Sequence, residues 1–245
     1  MKNVRRLVLT ATAVATLAVT ACSAPASSTG SSGGGSASSA PTQETVAFKK
    51  YSEAELTGLL QASEKASGET FKILPTADMK KALDAAKSLA SATKITPAEC
   101  GATNLGSSLQ MLDGISVATA TAGADAQGIP TSSISLISGL DESAMASNMD
   151  KSRASLEKCK DVTVEVAGQK AESSNEMIPV QAKTPGVVAL KSTTKTSMGT
   201  SMTQVVVNGL KGGVGITVVR LNSTDAAADA TKAAATLDAV ADQIK

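Results

Sequence analysis

The residues of this chain that best fit a catalytic role are three pairs of serine and lysine. A Ser-x-x-Lys pair can supply a nucleophile and its base without histidine, and this chain contains no histidine. The pairs are Ser91/Lys94, Ser155/Lys158 and Ser192/Lys195. Because serine and lysine are abundant here, chance alone predicts about two such matches. The accompanying Ser-Asp-Asn and Lys-Thr-Gly motifs are absent, so we expect no catalytic residue and no enzymatic activity.

Metal and cofactor sites are not indicated either. The pairs Met145/Met149 and Met198/Met202 have a spacing that suits thioether ligands of Cu(I), but no histidine is present to complete such a site. Zinc sites normally use histidine or several cysteines. The chain has no histidine, and only two of its three cysteines follow the leader and tether. The segment "GLKGGVG" lacks the Gly-Lys-Ser/Thr ending of a phosphate-binding loop. We therefore predict no metal and no cofactor.

The amino terminus has the pattern of an export signal. Three basic residues within "MKNVRR" precede the uncharged run Leu7–Ala21, which is short for a permanent membrane span. The run ends in "LAVTAC", which resembles the bacterial lipobox, where the cysteine thiol receives a diacylglycerol and the chain is cut before it. We predict that residues 1–21 are a lipoprotein signal peptide and that Cys22 carries the acylated (palmitate-type) lipid. The alternative is an ordinary signal peptide with a cysteine there by chance.

A linker and one domain follow the predicted cleavage site. Residues 22–44 are almost entirely Ser, Gly, Ala, Pro and Thr, a composition typical of a flexible tether. Residues 45–245 are long enough for a single domain with a sizeable core. Of the 23 basic residues, Lys2, Arg5 and Arg6 lie in the leader, so cleavage leaves 20 basic residues against 22 acidic ones. This balance offers nothing that attracts nucleic acid.

The other two cysteines, Cys100 and Cys159, are predicted to form a disulfide. Cysteine pairs in exported proteins meet an oxidising compartment, where they usually become oxidised. The alternative is a pair of buried free thiols.

The hydrophobic periodicity predicts helices mainly in the first half of the domain. A capping box, Ser52 with Glu55, starts a helix that Gly68 ends. Further helices are predicted over 76–90, from Thr96 as N-cap with Pro97 in the first turn, over 141–158, and from Thr224 to the end. The helix predicted from Thr96 includes Leu105, Leu109 and Leu112, and the helix predicted over 141–158 includes Met145, Met149 and Leu156.

Alternation of apolar and polar residues predicts strands mainly in the second half. The segments are "ISVATATA", "SSISLIS", "DVTVEV", "MIPVQA", "GVVALKS", "TQVVV" and "GITVVRL", with a short extended piece at "FKIL". Gly212 and Gly213 are the predicted turn between the last two strands. Short links favour antiparallel pairing, so the fold class is predicted as α+β, an antiparallel sheet with helices packed on one face.

The order of these features resembles a known group of proteins. A lipobox and a Ser/Gly tether precede "AELTGLLQASE", the "ITPAEC" segment, a second cysteine, and a final "VGITVV" strand with an alanine-rich helix. This is similar to exported actinobacterial lipoproteins whose domain resembles the extracellular sensor domain of mycobacterial transmembrane serine/threonine kinases. The resemblance implies a non-catalytic module that binds an extracellular ligand or a partner in the cell envelope.

Three functions are consistent with the sequence. The first is a sensor-like domain, held by its lipid on the outer face of the cell membrane, that binds a small apolar ligand. The second is an envelope module that contacts another protein through a sheet edge or an apolar patch. The third, a hydrolase lacking histidine, has the least support.

Overall fold

The computed structural model of this chain describes residues 47–100, 115–125, 128–141, 158–166 and 168–245, with positions 143, 147 and 154. Within these ranges the α-helices are α1 (Glu53–Ser67), α2 (Thr76–Ser91) and α3 (Ala226–Ala241). The strands are β1 (Phe71–Ile73), β2 (Thr93–Thr96), β3 (Ser116–Ala122), β4 (Ser132–Ser138), β5 (Asp161–Val166), β6 (Gln169–Ile178), β7 (Val188–Thr196), β8 (Ser201–Lys211) and β9 (Val214–Arg220). None of the helices in these ranges is long and apolar enough to span a membrane.

The nine strands form one antiparallel sheet, which confirms the predicted α+β class. Their order is β1-β3-β4-β9-β8-β7-β6-β5-β2. Strands that follow one another closely along the chain pair directly, and the long-range pairing of β4 with β9 joins the two halves of the sheet. Helix α3 packs on β8 and β9, and α1 packs on β3 and on α3. The core therefore lies between these two helices and one half of the sheet.

Local sequence signals account for helix α1. The Ser52 hydroxyl accepts a hydrogen bond from the Glu55 backbone N–H, and the Glu55 carboxylate accepts one from the Ser52 backbone N–H. Gly68 ends the helix in the left-handed conformation, at φ 69°. Leu56 and Leu60 then point into the core, where both are fully buried.

Helix α3 begins at Ala226, two residues later than predicted, because Asp225 is its N-cap. Its apolar side packs on β8 and β9, and Ala233, Leu237 and Val240 are fully buried. Small residues on both surfaces let the helix approach closely: a Cβ at Gly209 of β8 would lie 3.1 Å from the methyl groups of Leu237.

The predicted helix start at Thr96 is wrong. Thr96 is the last residue of β2 and pairs with Thr163 of β5. The Thr96–Pro97 peptide bond is cis, and Ala98–Cys100 forms a single 3-10 turn. The β-branched residues before Pro97 are extended because β5 supplies their hydrogen-bond partners, which the local capping pattern does not reveal.

The strand predicted at "MIPVQA" is wrong beyond Ile178, where β6 ends. Pro179 has no backbone N–H to donate to a ladder. The following residues instead form a loop that is bonded to α3 through Asp238. At its other end, β6 begins at Gln169, in a polar stretch for which the sequence predicts no strand.

Several predictions concern residues outside the described ranges. These are the signal peptide over 1–21, the lipidation of Cys22, the linker over 22–44, Ser155, and the apolar helix positions Leu105, Leu109, Leu112, Met145, Met149 and Leu156. They stay predictions.

Cys100 and Cys159 are joined by a disulfide. It connects the residues that follow β2 with those that precede β5, and these two strands are paired at the edge of the sheet. The bridge therefore closes a long excursion of the chain between two neighbouring strands.

The chain enters the domain at the turn between β8 and β9. The Lys49 N–H donates to the Gly212 carbonyl at 3.2 Å. The Ser138 hydroxyl accepts from the Tyr51 N–H at 2.9 Å and donates to the Gly213 carbonyl at 2.8 Å. We call this end of the sheet the tether end.

Glu55 is expected to titrate far below an ordinary glutamate. A hydrogen bond from the Lys49 ammonium at 2.6 Å, with others from Ser52, lowers the Glu55 pKa from 4.5 to about 2. The Glu55 contribution to stability is then present above pH 4.5 and is lost as the pH falls through about 2. NMR titration of the carboxyl carbon measures this midpoint. Lys49→Ala should move it upward, and an unchanged midpoint in that variant would contradict the assignment.

Gly213→Ala is expected to destabilise the domain far more than Gly199→Ala. Both glycines have positive φ, 85° and 78°, so both substitutions cost about 1 kcal/mol in backbone strain. Only at Gly213 would the added Cβ collide with another residue, at 2.1 Å from the Lys49 carbonyl oxygen, whereas Gly199 has open space. We expect a total of about 3 kcal/mol at Gly213, measured by urea unfolding. Equal losses at the two positions would show that the Lys49 contact carries no energy.

Candidate functional site

A groove lies over β5, β6 and β7. It has a volume of about 500 Å³ and is open to solvent. The strand register places it on the same face of the sheet that α1 and α3 cover elsewhere. Its lining residues are Asp161, Val162, Thr163, Glu172, Ser173, Ser174, Glu176, Lys191, Thr193 and Lys195. We call it the polar groove.

Two rows of opposite charge run along the polar groove. Glu172 and Glu176 lie on β6, and Lys195 and Lys191 lie directly opposite them on β7. The Lys191 ammonium is 3.4 Å from the Glu176 carboxylate, and both side chains remain partly exposed. Neighbouring strands are about 4.8 Å apart, so the carboxylate row and the ammonium row lie side by side.

The geometry of a strand explains why these side chains converge. Successive residues point to opposite faces, so the spacing Glu-x-Ser-x-Glu on β6 and Lys-x-Thr-x-Lys on β7 sends all six side chains to one face. Between the charges, Ser174 and Thr193 are opposite each other. The groove thus offers carboxylates, ammonium groups and hydroxyls along two strands.

The structure separates the one serine–lysine pair for which it describes both side chains. Ser192 and Lys195 are three residues apart on β7 and therefore face opposite sides of the sheet. The Ser192 hydroxyl lies 3.1 Å from the Ser173 hydroxyl and is buried. The side chain of Ser91 and all of Ser155 lie outside what the structure describes.

No metal centre is found in the part of the chain that the structure describes. No three histidine, cysteine, aspartate or glutamate side chains lie close enough together there to hold an ion. Met198 is 67% exposed in the turn after β7, and Met202 is half-buried on β8.

Sequence reasoning missed the polar groove because the β6 residues that line it are nearly all polar. Alternation of apolar and polar residues is the usual signal of a strand, and the segment "QKAESSNE" has almost no such alternation. A usable signal was present nonetheless. Two acidic residues spaced by four in one segment and two lysines spaced by four in the next predict a pair of strands with matched charges.

Comparison with known proteins finds similarity among solved structures. No protein-family model matches the chain, and no curated protein matches it. Among solved structures, the fold is similar to the crystal structure of the extracellular domain of PknH from Mycobacterium tuberculosis, with a TM-score of 0.47 and 13% identity. The match covers 79% of this chain and 98% of that one.

Proposed function

We propose that this protein is an exported lipoprotein, attached to the outer face of the cell membrane through a diacylglycerol on Cys22, and that its domain binds a polar envelope ligand without catalysis. The observation that carries the binding function is the polar groove, with its parallel rows of carboxylates and ammonium groups.

The groove favours an extended ligand with charges of both signs. Cationic groups of the ligand would pair with Glu172 and Glu176, and anionic groups with Lys191 and Lys195. Four residues of strand span about 14 Å, which is the length of a short peptide laid along the sheet. The sequence predicts a small apolar ligand, whereas the lining of this groove favours a zwitterionic one such as an envelope peptide.

The disulfide supports a location outside the cytoplasm. Disulfides persist in oxidising compartments and are rare in the cytosol, and the Cys100–Cys159 bridge agrees with the export pattern of the leader. The lipobox supports attachment through Cys22 rather than release.

Cys22→Ala is expected to abolish membrane attachment. With no thiol to receive the lipid, the exported protein should move from the membrane fraction to the soluble fraction and lack the mass of the diacylglycerol. Fractionation of host cells and mass spectrometry of the intact protein measure this result. Ser23→Ala is the matched control and should remain in the membrane fraction. A Cys22→Ala protein that stays there would contradict the anchor.

Charge reversal in the groove tests the ligand. Native mass spectrometry of the protein purified from its own host should show a bound mass that is lost in Lys191→Glu/Lys195→Glu. Lys232→Glu, on the exposed side of α3, is the control and should keep it. A mass that survives the groove substitutions places the ligand elsewhere. If no small molecule is bound, cross-linking tests the second candidate, an envelope protein that lays an extended segment in the same groove.

A further inference from the structure

We propose that the loop between β6 and β7 docks on the surface of the lipid bilayer to which the protein is attached. The inference rests on the anchor at Cys22 proposed above. It adds an orientation: the tether end of the domain faces the membrane, and the opposite end, with the turn around Met198, faces away.

The loop is apolar and partly exposed, and its residues Ile178, Val180 and Val187 also pack against the core. From Met177 to Leu190 the sequence contains a single charged residue, Lys183. Met177 is 43% exposed, and Pro179 and Pro185 are exposed too. A shallow groove of about 200 Å³ is formed by Met177, Ile178, Pro179, Val180, Val187, Val188 and Ala189.

This apolar surface lies at the tether end. Val188, the first residue of β7, pairs with Asn208, which is four residues before the turn at Gly212 where the chain enters the domain. Four residues of strand correspond to about 14 Å. Met198 lies at the other end of β7, in the turn that leads to β8.

The length of the tether selects a bilayer as the occupant. Residues 22–46 separate Cys22 from the described domain, and the composition of this segment predicts a tether with a mean span of about 28 Å. The tether thus keeps the apolar loop close to the bilayer, which gives the bilayer a high effective concentration around the loop. A soluble partner has no such advantage. Lys183 suits this surface, because its side chain is 80% exposed and a lysine can keep its ammonium at headgroup level while its stem contacts apolar groups.

Tryptophan fluorescence tests the orientation, since the chain has no tryptophan of its own. Met177→Trp and Met198→Trp place one reporter at each end of the domain. The chain from Cys22 onward is coupled to vesicles of phosphatidylglycerol and phosphatidylcholine that contain a maleimide-headgroup lipid and acyl-brominated phosphatidylcholine. Cys22 is the coupling site, because the other two of the three cysteines form the disulfide.

We expect bromine quenching to lower the emission at position 177 by about two-fold, with a blue shift, because docking buries apolar groups 5–10 Å deep in the interface. The emission at position 198 should be unchanged. Equal quenching at both positions, or no quenching at position 177, would overturn docking. A blue shift at position 177 that appears without vesicles and depends on protein concentration would also overturn it, because it would indicate that a second copy of the protein covers the loop. Pro179→Trp repeats the test if Met177→Trp does not fold. The chemical coupling does not require lipidation in the cell, so a failure here leaves the Cys22 anchor standing, and a failure of the anchor leaves this result readable.

Discussion

Removing the disulfide is expected to lower the free energy of unfolding by about 4 kcal/mol. The bridge joins residues 59 apart in sequence, and closing a loop of that length restricts the unfolded chain strongly in the chain-entropy description. For a domain of about 200 residues, this loss corresponds to a melting temperature lower by about 12 °C. The variant is Cys100→Ser/Cys159→Ser, and urea unfolding with calorimetry measures both quantities.

Reduction provides the matched control for this prediction. A reductant should destabilise the wild-type protein by the same amount and leave the double variant unchanged. If the wild type unfolds at the same urea concentration with and without reductant, the bridge does not contribute to stability. The result also bears on location, since a domain that depends on its disulfide is stable only where oxidation is maintained.

Asp238→Ala is expected to cost about 3 kcal/mol, because it leaves one buried and one partly buried backbone donor without an acceptor. The Asp238 carboxylate on α3 accepts the Lys183 N–H at 2.8 Å and the Thr184 N–H at 2.9 Å. It also accepts the Thr184 hydroxyl at 2.8 Å. These bonds hold the loop between β6 and β7 against the helix. Urea unfolding measures the loss, and hydrogen exchange should show faster opening of residues 182–186.

Asp242→Ala is the control for Asp238→Ala. Asp242 lies one helical turn further on, is 54% exposed, and contacts the Lys183 ammonium at 3.8 Å. Exposed ion pairs of this kind contribute little, so we expect a change below about 0.5 kcal/mol. Similar losses of unfolding free energy in the two variants would mean that the hydrogen bonds of Asp238 stabilise the domain no more than the exposed ion pair of Asp242 does.

The sequence alone identified those elements whose signals are local. Helix α1 has its N-cap, its partner at the third position and its terminal glycine within seventeen residues, and the structure has all three. Alternation marked β3, β4 and β9 because one face of each is buried, so that buried and partly exposed residues largely alternate along them. Both glycines predicted for the last hairpin have positive φ.

Tertiary structure decided whatever depends on a distant partner. Thr96 is extended because Thr163 pairs with it, which overrides a capping pattern that is sound locally. Strand β6 is polar on both faces, so it exists because β5 and β7 supply its hydrogen bonds rather than because it buries apolar groups. The polar groove follows from the same pairing: Glu176 and Lys191 are fifteen residues apart in sequence, and only the register of β6 and β7 brings their charges to 3.4 Å. Periodicity along a chain reports which side of an element is buried, and it carries no information about which strand lies alongside.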